Sequence, residues 1–224
     1  MFTIAENRLK VALITRGQPP FRGALALPGG FVKPDEDLKA AAFRELAEET
    51  RLSPGAIPLT QFAVYGKPGR DPRMRVVSVG YWAIMPDLPS PKGGSDAATA
   101  QLIPVDEALR EGSMAFDHVQ ILSDALETAR RAIETTTIGT RFCDADGFTV
   151  SELRKTYETV WGVTLDQGNF QKKVIDAAGF VVPTGRRREG GKGRPPELYV
   201  TGPSSVIEPP LRRPGPSTVE EGGG

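Results

Sequence analysis

The first clear pattern along the chain is an apolar stretch, Leu9 to Thr15 (LKVALIT), that reads as a strand. A polar turn rich in glycine and proline follows, then a second apolar run, ALALPGGFV, that includes Gly29 and Gly30. In DLKAAAFRELAEET, Leu38, Ala41, Ala42 and Leu46 stand at near-helical spacing among strong helix formers, with Asp35 after Pro34 as the expected cap. Further strands are expected at Leu59 to Tyr65 and Arg75 to Ile84, on either side of the turn GKPGRDPR, and PDLPSPKGGSDAATA is expected to be an exposed loop. A short helix around Val105 to Glu111 leads to FDHVQILSDALETARRAIE, where Val119, Leu122, Ala125, Leu126, Ala129 and Ile133 recur at intervals of mostly three and four. Strands mixed with helices predict an α/β domain over 1–134.

The pattern then changes. FTVSELRKTYETVWG and NFQKKVIDAAGF read as two helices around a turn at Val163 to Gly168, and the strand-like runs FVVPT and ELYV close a hairpin, giving a second domain over 135–200. Phe170, Val174, Ile175 and Ala178 are expected to face inward, beside Leu153, Tyr157, Val160 and Trp161. From Thr201 to Gly224 there are five Gly and five Pro among 24 residues, a composition that predicts a disordered tail.

Composition adds limits more than identity. The 224 residues carry a formal net charge of +0, so any basic surface must come from local segregation of charge. That segregation exists: from Asn169 to Arg194 seven Lys and Arg stand against two acids, a net of +5. A single cysteine, Cys143, excludes an internal disulfide, and the opening MFTIAENRLK lacks a secretory h-region, which together point to the cytoplasm. Apolar runs stop well short of the ~20 residues that a bilayer span needs. Cys143 has no His or Cys neighbour at metal spacing, and an inert thiol is expected.

Candidate chemistry begins in the first helix. Gly30, Glu36 and the run Arg44-Glu45-Leu46-Ala47-Glu48-Glu49 form a long spaced pattern, and Glu45, Glu48 and Glu49 fall on one helical face. Like charges so placed repel unless a cation sits among them, and hard oxygen ligands suit Mg²⁺ or Mn²⁺ bridging to a diphosphate. Gly29 and Gly30 permit close backbone approach, and Arg44 can pair with Glu36 to hold the loop on the helix. In the second domain, Asn169, Gln171, Lys172 and Lys173 stand where a helix-turn-helix protein reads base edges. Arg186, Arg187, Arg188, Lys192 and Arg194 lie in a glycine-rich hairpin, a candidate wing for phosphates or a minor groove.

The first pattern resembles the Nudix box, G-x5-E-x7-R-E-U-x-E-E-x-G-U, with one departure: Arg51 stands where the box has glycine. A non-glycine residue in the left-handed conformation there costs on the order of 1 kcal/mol. By that resemblance Glu45, Glu48 and Glu49, with Arg44 and Glu36, are the metal-binding and catalytic set if the domain hydrolyses. No glutamate occurs between Arg51 and Asp106, where hydrolysing relatives that cleave ADP-ribose commonly supply a further acid. Together with YGKPGRDPRMRVVSVGYWA, AFDHVQILSDAL, FTVSELRKTYETVWGVTLDQGNFQKKVIDAAGFVVPTG and GRPPELY, the chain up to about Val200 resembles the NrtR family of Nudix-related regulators of NAD metabolism.

That resemblance implies an α/β Nudix fold, a mixed sheet sandwiched by helices, followed by a small α+β winged helix-turn-helix. It also implies a homodimeric repressor that binds operator DNA and is released by ADP-ribose or a related NAD metabolite. By position, Arg70 and Arg73 suit the diphosphate, and Phe31 or Tyr65 the adenine, although loop salt bridges are an equal use for each arginine. The resemblance implies an architectural or interface position for His118, not a catalytic base. The alternative is a Mg²⁺-dependent ADP-ribose pyrophosphatase with an accessory winged helix, or a protein that does both.

Overall fold

The computed structural model describes residues 1–51, 58–86, 88, 97–189 and 195–215. Glu6 and Asn7 both adopt positive φ, 54° and 57°, the two-residue turn that matches strand twist, and they close a hairpin between β1 (Phe2–Ala5) and β2 (Arg8–Arg16). Strand β2 is the spine of the first sheet. Its run Val11 to Ile14 is buried on every residue, as in a strand covered on both faces. One edge of β2 pairs with β6 (Ala97–Pro104), while β1 and the short β3 (Leu25–Ala26) share the other. Helices α1 (Leu38–Thr50) and α2 (Val105–Ala108) contact β2 and β6, and β4 (Thr60–Tyr65) pairs with β5 (Ser78–Trp82) in a second sheet.

Three expectations shift here. Strand β6 begins inside the stretch read as an exposed loop, because alternation in TAQLI is masked by the glycine- and proline-rich residues before it. The cap of α1 is Asp37, whose carboxylate accepts from the Ala40 N–H at 2.8 Å, not Asp35. The apolar runs ALALPGGFV and Arg75 to Ile84 form shorter strands than expected, β3 and β5.

Helix α3 (His118–Thr135) buries Ile121, Leu122, Ala125, Leu126, Ala129 and Ile133. The chain divides into units at Met1–Ala129 and Arg130–Gly224, so the last turns of α3 belong to the second unit. The reason is in the hydrogen bonds: Tyr157 Oη donates to the Ile133 carbonyl at 2.9 Å and Trp161 Nε1 to the Arg130 carbonyl at 3.2 Å.

In the second unit a 3₁₀ turn (Thr137–Phe142) precedes α4 (Val150–Trp161), which starts in a Thr149/Glu152 capping box and ends on Gly162 at φ 71°. Helix α5 (Gln167–Asp176) is capped by Asp166, and the hairpin of β7 (Val181–Arg187) and β8 (Glu197–Thr201) follows. Tyr157 sits edge-on to both Trp161 and Phe170 in a core with Leu153, Val160, Val174 and Phe180. Ile175 and Ala178 face out, against expectation, and Ala177 is buried instead, since the buried arc of α5 runs through 170, 174 and 177.

The expected disordered tail is corrected over 202–215. Ile207 and Leu211 are buried, and their N–H groups donate to the carbonyls of Thr135 and Glu134, both at 2.8 Å. Those carbonyls end α3 and have no partner within the helix, so the arm satisfies them. Two anchoring aliphatic residues were averaged away in a composition dominated by glycine and proline. Among the described residues no helix is long and apolar enough to cross a membrane.

Candidate functional site

The box helix and its glycines meet as the sequence predicts. Gly29 N–H donates to Glu49 Oε2 at 2.8 Å, with Glu49 only 7% exposed. Gly30 lies so close to the Glu45 carboxylate that a Cβ there would displace it from its present position. Arg44 is the hub: it bonds Glu36 through Nε and Nη2 at 2.9 and 2.5 Å, Glu45 at 2.7 Å, Glu48 at 3.2 Å and the Phe31 carbonyl at 3.1 Å. Hydrogen bonds from Arg44, then from the Lys33 N–H, hold the Glu36 carboxyl down at about 2. The loop before α1 is thereby pinned to it.

Hard carboxylate oxygens fit Mg²⁺ or Mn²⁺ in kind. In this arrangement Glu45 and Glu48 are on Arg44 and Glu49 is on Gly29, and among the described residues no three acidic, His or Cys side chains converge as a metal-holding group. Helix α1 ends on Arg51 at φ 54°, ψ 21°, the left-handed position that the box gives to glycine.

The proposed nucleotide contacts separate. Arg70 is 6% exposed and grips Asp117 with two bonds at 2.8 and 2.7 Å while donating to Ser78 Oγ. Its guanidinium braces the GRDPR turn against the start of α3. Tyr65 Oη donates to Asp124 at 2.9 Å, and burial first, then that carboxylate, pushes the phenol up. Arg73 is 42% exposed and pairs with Asp71 at 2.7 Å, and Phe31 is 59% exposed.

What the sequence did not mark is a cation and aromatic cluster beside the box. Phe116 lies under Arg16 at 4.8 Å and Arg73 at 5.7 Å, and edge-on to Phe21 at 4.9 Å. Phe21 and Phe116 both hold positive φ, 61° and 54°, a strained conformation for bulky residues. Burial, then the neighbouring Arg73, lowers the Arg16 pKa, and Asp71 and Glu49 are near enough to oppose this. Two guanidiniums thus meet over one ring, Arg16 also bonded to the Pro20 carbonyl at 2.9 Å and Arg73 to Asp71 at 2.7 Å. No motif surrounds Arg16, so only the fold could find it. His118 Nδ1 accepts from the Leu27 N–H at 3.0 Å, the architectural role expected, and burial holds its pKa at about 4.

On the second unit, Asn169, Gln171, Lys172 and Lys173 are all exposed on α5, and no side-chain partner holds them among the described residues. The wing arginines differ. Arg188 bonds Glu152 at 2.8 Å, Arg187 bonds the Pro195 carbonyl at 2.8 Å, and Arg186 bonds the Asp146 carbonyl. Arg188 and Arg186 tie the loop end of β7 to the first turn of α4 and the residues before it, while Arg187 closes the hairpin on itself; Lys192 and Arg194 lie outside the described residues. Cys143 is buried and contacts Thr156, and burial raises its pKa to about 11, the inert thiol expected.

A NUDIX domain model matches residues 1–125, and that of the NrtR DNA-binding winged helix domain matches 145–200. Fold and site therefore define a Nudix domain joined to a DNA-binding winged helix. The chain belongs to the NrtR family. It is 30% identical over 201 residues, 89% of this chain and 78% of the relative, to the ADPR responsive transcriptional repressor NtrR of Acinetobacter baylyi. The crystal structure of Shewanella oneidensis NrtR with a 27mer DNA superposes with a TM-score of 0.74 at 29% identity, covering 94% of this chain and 96% of that one. The NUDIX domain of that protein with ADP ribose matches at TM-score 0.52 and 34% identity, over 57% of this chain and 82% of that one. The ADP-ribose pyrophosphatase of Methanocaldococcus jannaschii is 39% identical over 123 residues, 54% of this chain and 68% of the relative.

Proposed function

We propose that this chain is a homodimeric transcriptional repressor whose winged helix binds operator DNA and whose Nudix domain binds ADP-ribose, or a close NAD-derived nucleoside diphosphate, as the signal that releases it. The observation that carries the reading is the union in one chain of two surfaces. One is the Arg16–Phe116–Arg73 cluster beside the Nudix box, and the other is an α5 with four exposed polar side chains and no internal use for them. Shewanella oneidensis NrtR binds a 27mer DNA and its NUDIX domain binds ADP ribose in crystals, and the Acinetobacter baylyi relative is an ADPR responsive repressor. Dimerisation is supported by an apolar face on the second sheet: Val64 and Val77 are 58% and 60% exposed, and the register pairs Val64 with Val79, two residues from Val77. Such a regulator works where the DNA is, in the cytoplasm.

Thermodynamic linkage sets what the effector must do. If ADP-ribose prefers the DNA-free form by about a hundredfold, DNA binding loses roughly 2.7 kcal/mol, enough to empty an operator. Arg16 and Arg73 would take the diphosphate, with Phe31 or Phe116 against the adenine. Arg70 and Tyr65, held by Asp117 and Asp124, would support this site from behind. Any Mg²⁺ or Mn²⁺ would be held by Glu45, Glu48 and Glu49, supplying charge neutralisation of the diphosphate, and Arg44 would have to yield Glu45 and Glu48 to it.

The second reading, an ADP-ribose pyrophosphatase, is favoured by the retained carboxylates and by the 39% identity to the archaeal enzyme. One experiment separates them: binding of the full chain to DNA selected from a random-sequence duplex pool, titrated with ADP-ribose, with AMP assayed in the same tubes. Release of DNA without AMP supports the sensor. Release that reverses as AMP accumulates supports a regulator that consumes its signal, and AMP without any DNA binding overturns the proposal.

A further inference from the structure

Two grooves flank α5. One side carries Gln167 and Gln171, four residues apart, facing the start of α4 and Arg187 of the wing. The other carries Asn169 and Lys173, also four apart, and faces Leu211, Arg212 and Pro214 of the C-terminal arm. Lys172 stands on the ridge between them, opposite the buried arc of Phe170, Val174 and Ala177. The arm thus borders the DNA-reading helix on the flank that the wing leaves open.

The arm is built to hold that position. Ile207 and Leu211 are 1% and 2% exposed, and their N–H groups close the end of α3; Ser204 N–H donates to the Gly179 carbonyl at 3.0 Å, just before β7. Arg212 follows Leu211 directly, is exposed, and has no ion-pair partner among the described residues. The one acid of this groove, Asp166, is engaged in capping α5 through the Asn169 N–H at 2.8 Å. The arm lies beyond the 145–200 matched by the winged-helix model.

We propose that the C-terminal arm is a second DNA-contacting element, in which Arg212, with Lys173, binds a backbone phosphate on the side of α5 opposite the wing. The inference rests on the regulator reading. A DNA strand bordering an inserted helix brings phosphates along both of its flanks, and a guanidinium is the side chain best suited to them. The contact is to phosphate and carries no sequence preference.

The test compares the full chain with Arg212→Ala and Arg212→Lys, measuring Kd against salt for a duplex selected by the wild type and for an unrelated duplex of the same length. Arg212→Ala should weaken both duplexes about three- to tenfold and reduce the salt slope by about 0.9, the value of one neutralised phosphate, whereas Arg212→Lys should keep the slope. The thermal midpoint should not move. Unchanged affinity and slope in Arg212→Ala, or a loss confined to the selected duplex, would overturn the proposal. A wild type that selects no duplex from a random-sequence pool would instead sink the regulator reading, and this inference with it.

Discussion

Arg70 in the first unit and Lys172 in the second are both cations that the sequence marks for a ligand, a diphosphate for Arg70 and DNA base edges for Lys172, and the fold treats them in opposite ways. Arg70 is buried and closed into a two-bond clasp with Asp117; Lys172 stands on the exposed ridge of α5 with no partner among the described residues. Other cations follow the same contrast: Arg44 is spent on Glu36, Glu45 and Glu48 and Arg188 on Glu152, while Lys173 is left outward. A charge whose side chain is withdrawn from solvent onto its complement, as Arg70 is at 6% exposure, builds scaffold. An exposed charge without one is solvated and open to a partner at no cost to the fold.

The largest effect that could break this comparison is on Arg70. Arg70→Ala leaves Asp117 without its partner at a mostly buried position, and unfolding should show a loss of about 2–3 kcal/mol. Arg16→Ala should do the reverse: a thermal midpoint within a few degrees of wild type, with ADP-ribose affinity, read by calorimetry, falling about tenfold or more. If Arg70→Ala spares stability and abolishes ADP-ribose binding, the assignment of the two arginines is inverted.

Next in size is the other side of the comparison. Lys172→Ala with Lys173→Ala should cost about a hundredfold in DNA affinity, roughly 2.7 kcal/mol, with stability unchanged, because neither side chain supports the core. Arg188→Ala should behave oppositely, loosening the wing from Glu152 before it touches affinity. Equal losses of affinity in the double variant and in Arg188→Ala would remove the distinction between bracing and reading cations.

Much of this was legible in the sequence, and the failures share a physical cause. The box fixes its own geometry because its contacts are local: Gly29, Gly30, Glu36 and Arg44 lie within one turn and one helix of the glutamates they meet. The order of helices and hairpin in the second unit was equally readable from apolar periodicity. Arg70 meets Asp117 across 47 residues, and Arg16 meets Phe116 across a hundred, and no spacing rule encodes a pairing of that range. Composition misled at both ends of its use, hiding β6 behind a glycine-rich loop and two buried anchors, Ile207 and Leu211, in a tail of glycine and proline.

His118 offers a smaller test of bracing within the first unit. Burial, with Arg70 and Arg16 adding to it and Asp117 opposing, holds the imidazole at about 4 against 6.5 when unperturbed. The unfolded chain therefore takes up the proton first as pH falls, and the stability that the neutral ring contributes is complete above pH 6.5 and lost toward pH 4. Over that window wild type should lose roughly 1–3 kcal/mol more than His118→Gln, whose amide oxygen can accept from Leu27 without titrating. Parallel stability curves would show that the ring is not held neutral by the fold.

The smallest effect sharpens the comparison at the one position where this chain departs from the box. Arg51 occupies the left-handed conformation at φ 54°, which an L-residue with a Cβ enters at a cost of about 1–2 kcal/mol. Glycine enters it freely but gives up more entropy from the unfolded chain, so Arg51→Gly should raise unfolding free energy by a net of about 0.5–1 kcal/mol. The Arg51 side chain also interacts with its surroundings, and a net loss of stability in the variant would mean that this interaction outweighs the backbone strain. Arg51 would then join Arg44 and Arg70 among the cations that brace the domain. A gain would show that the strained end of α1 persists with no stability return.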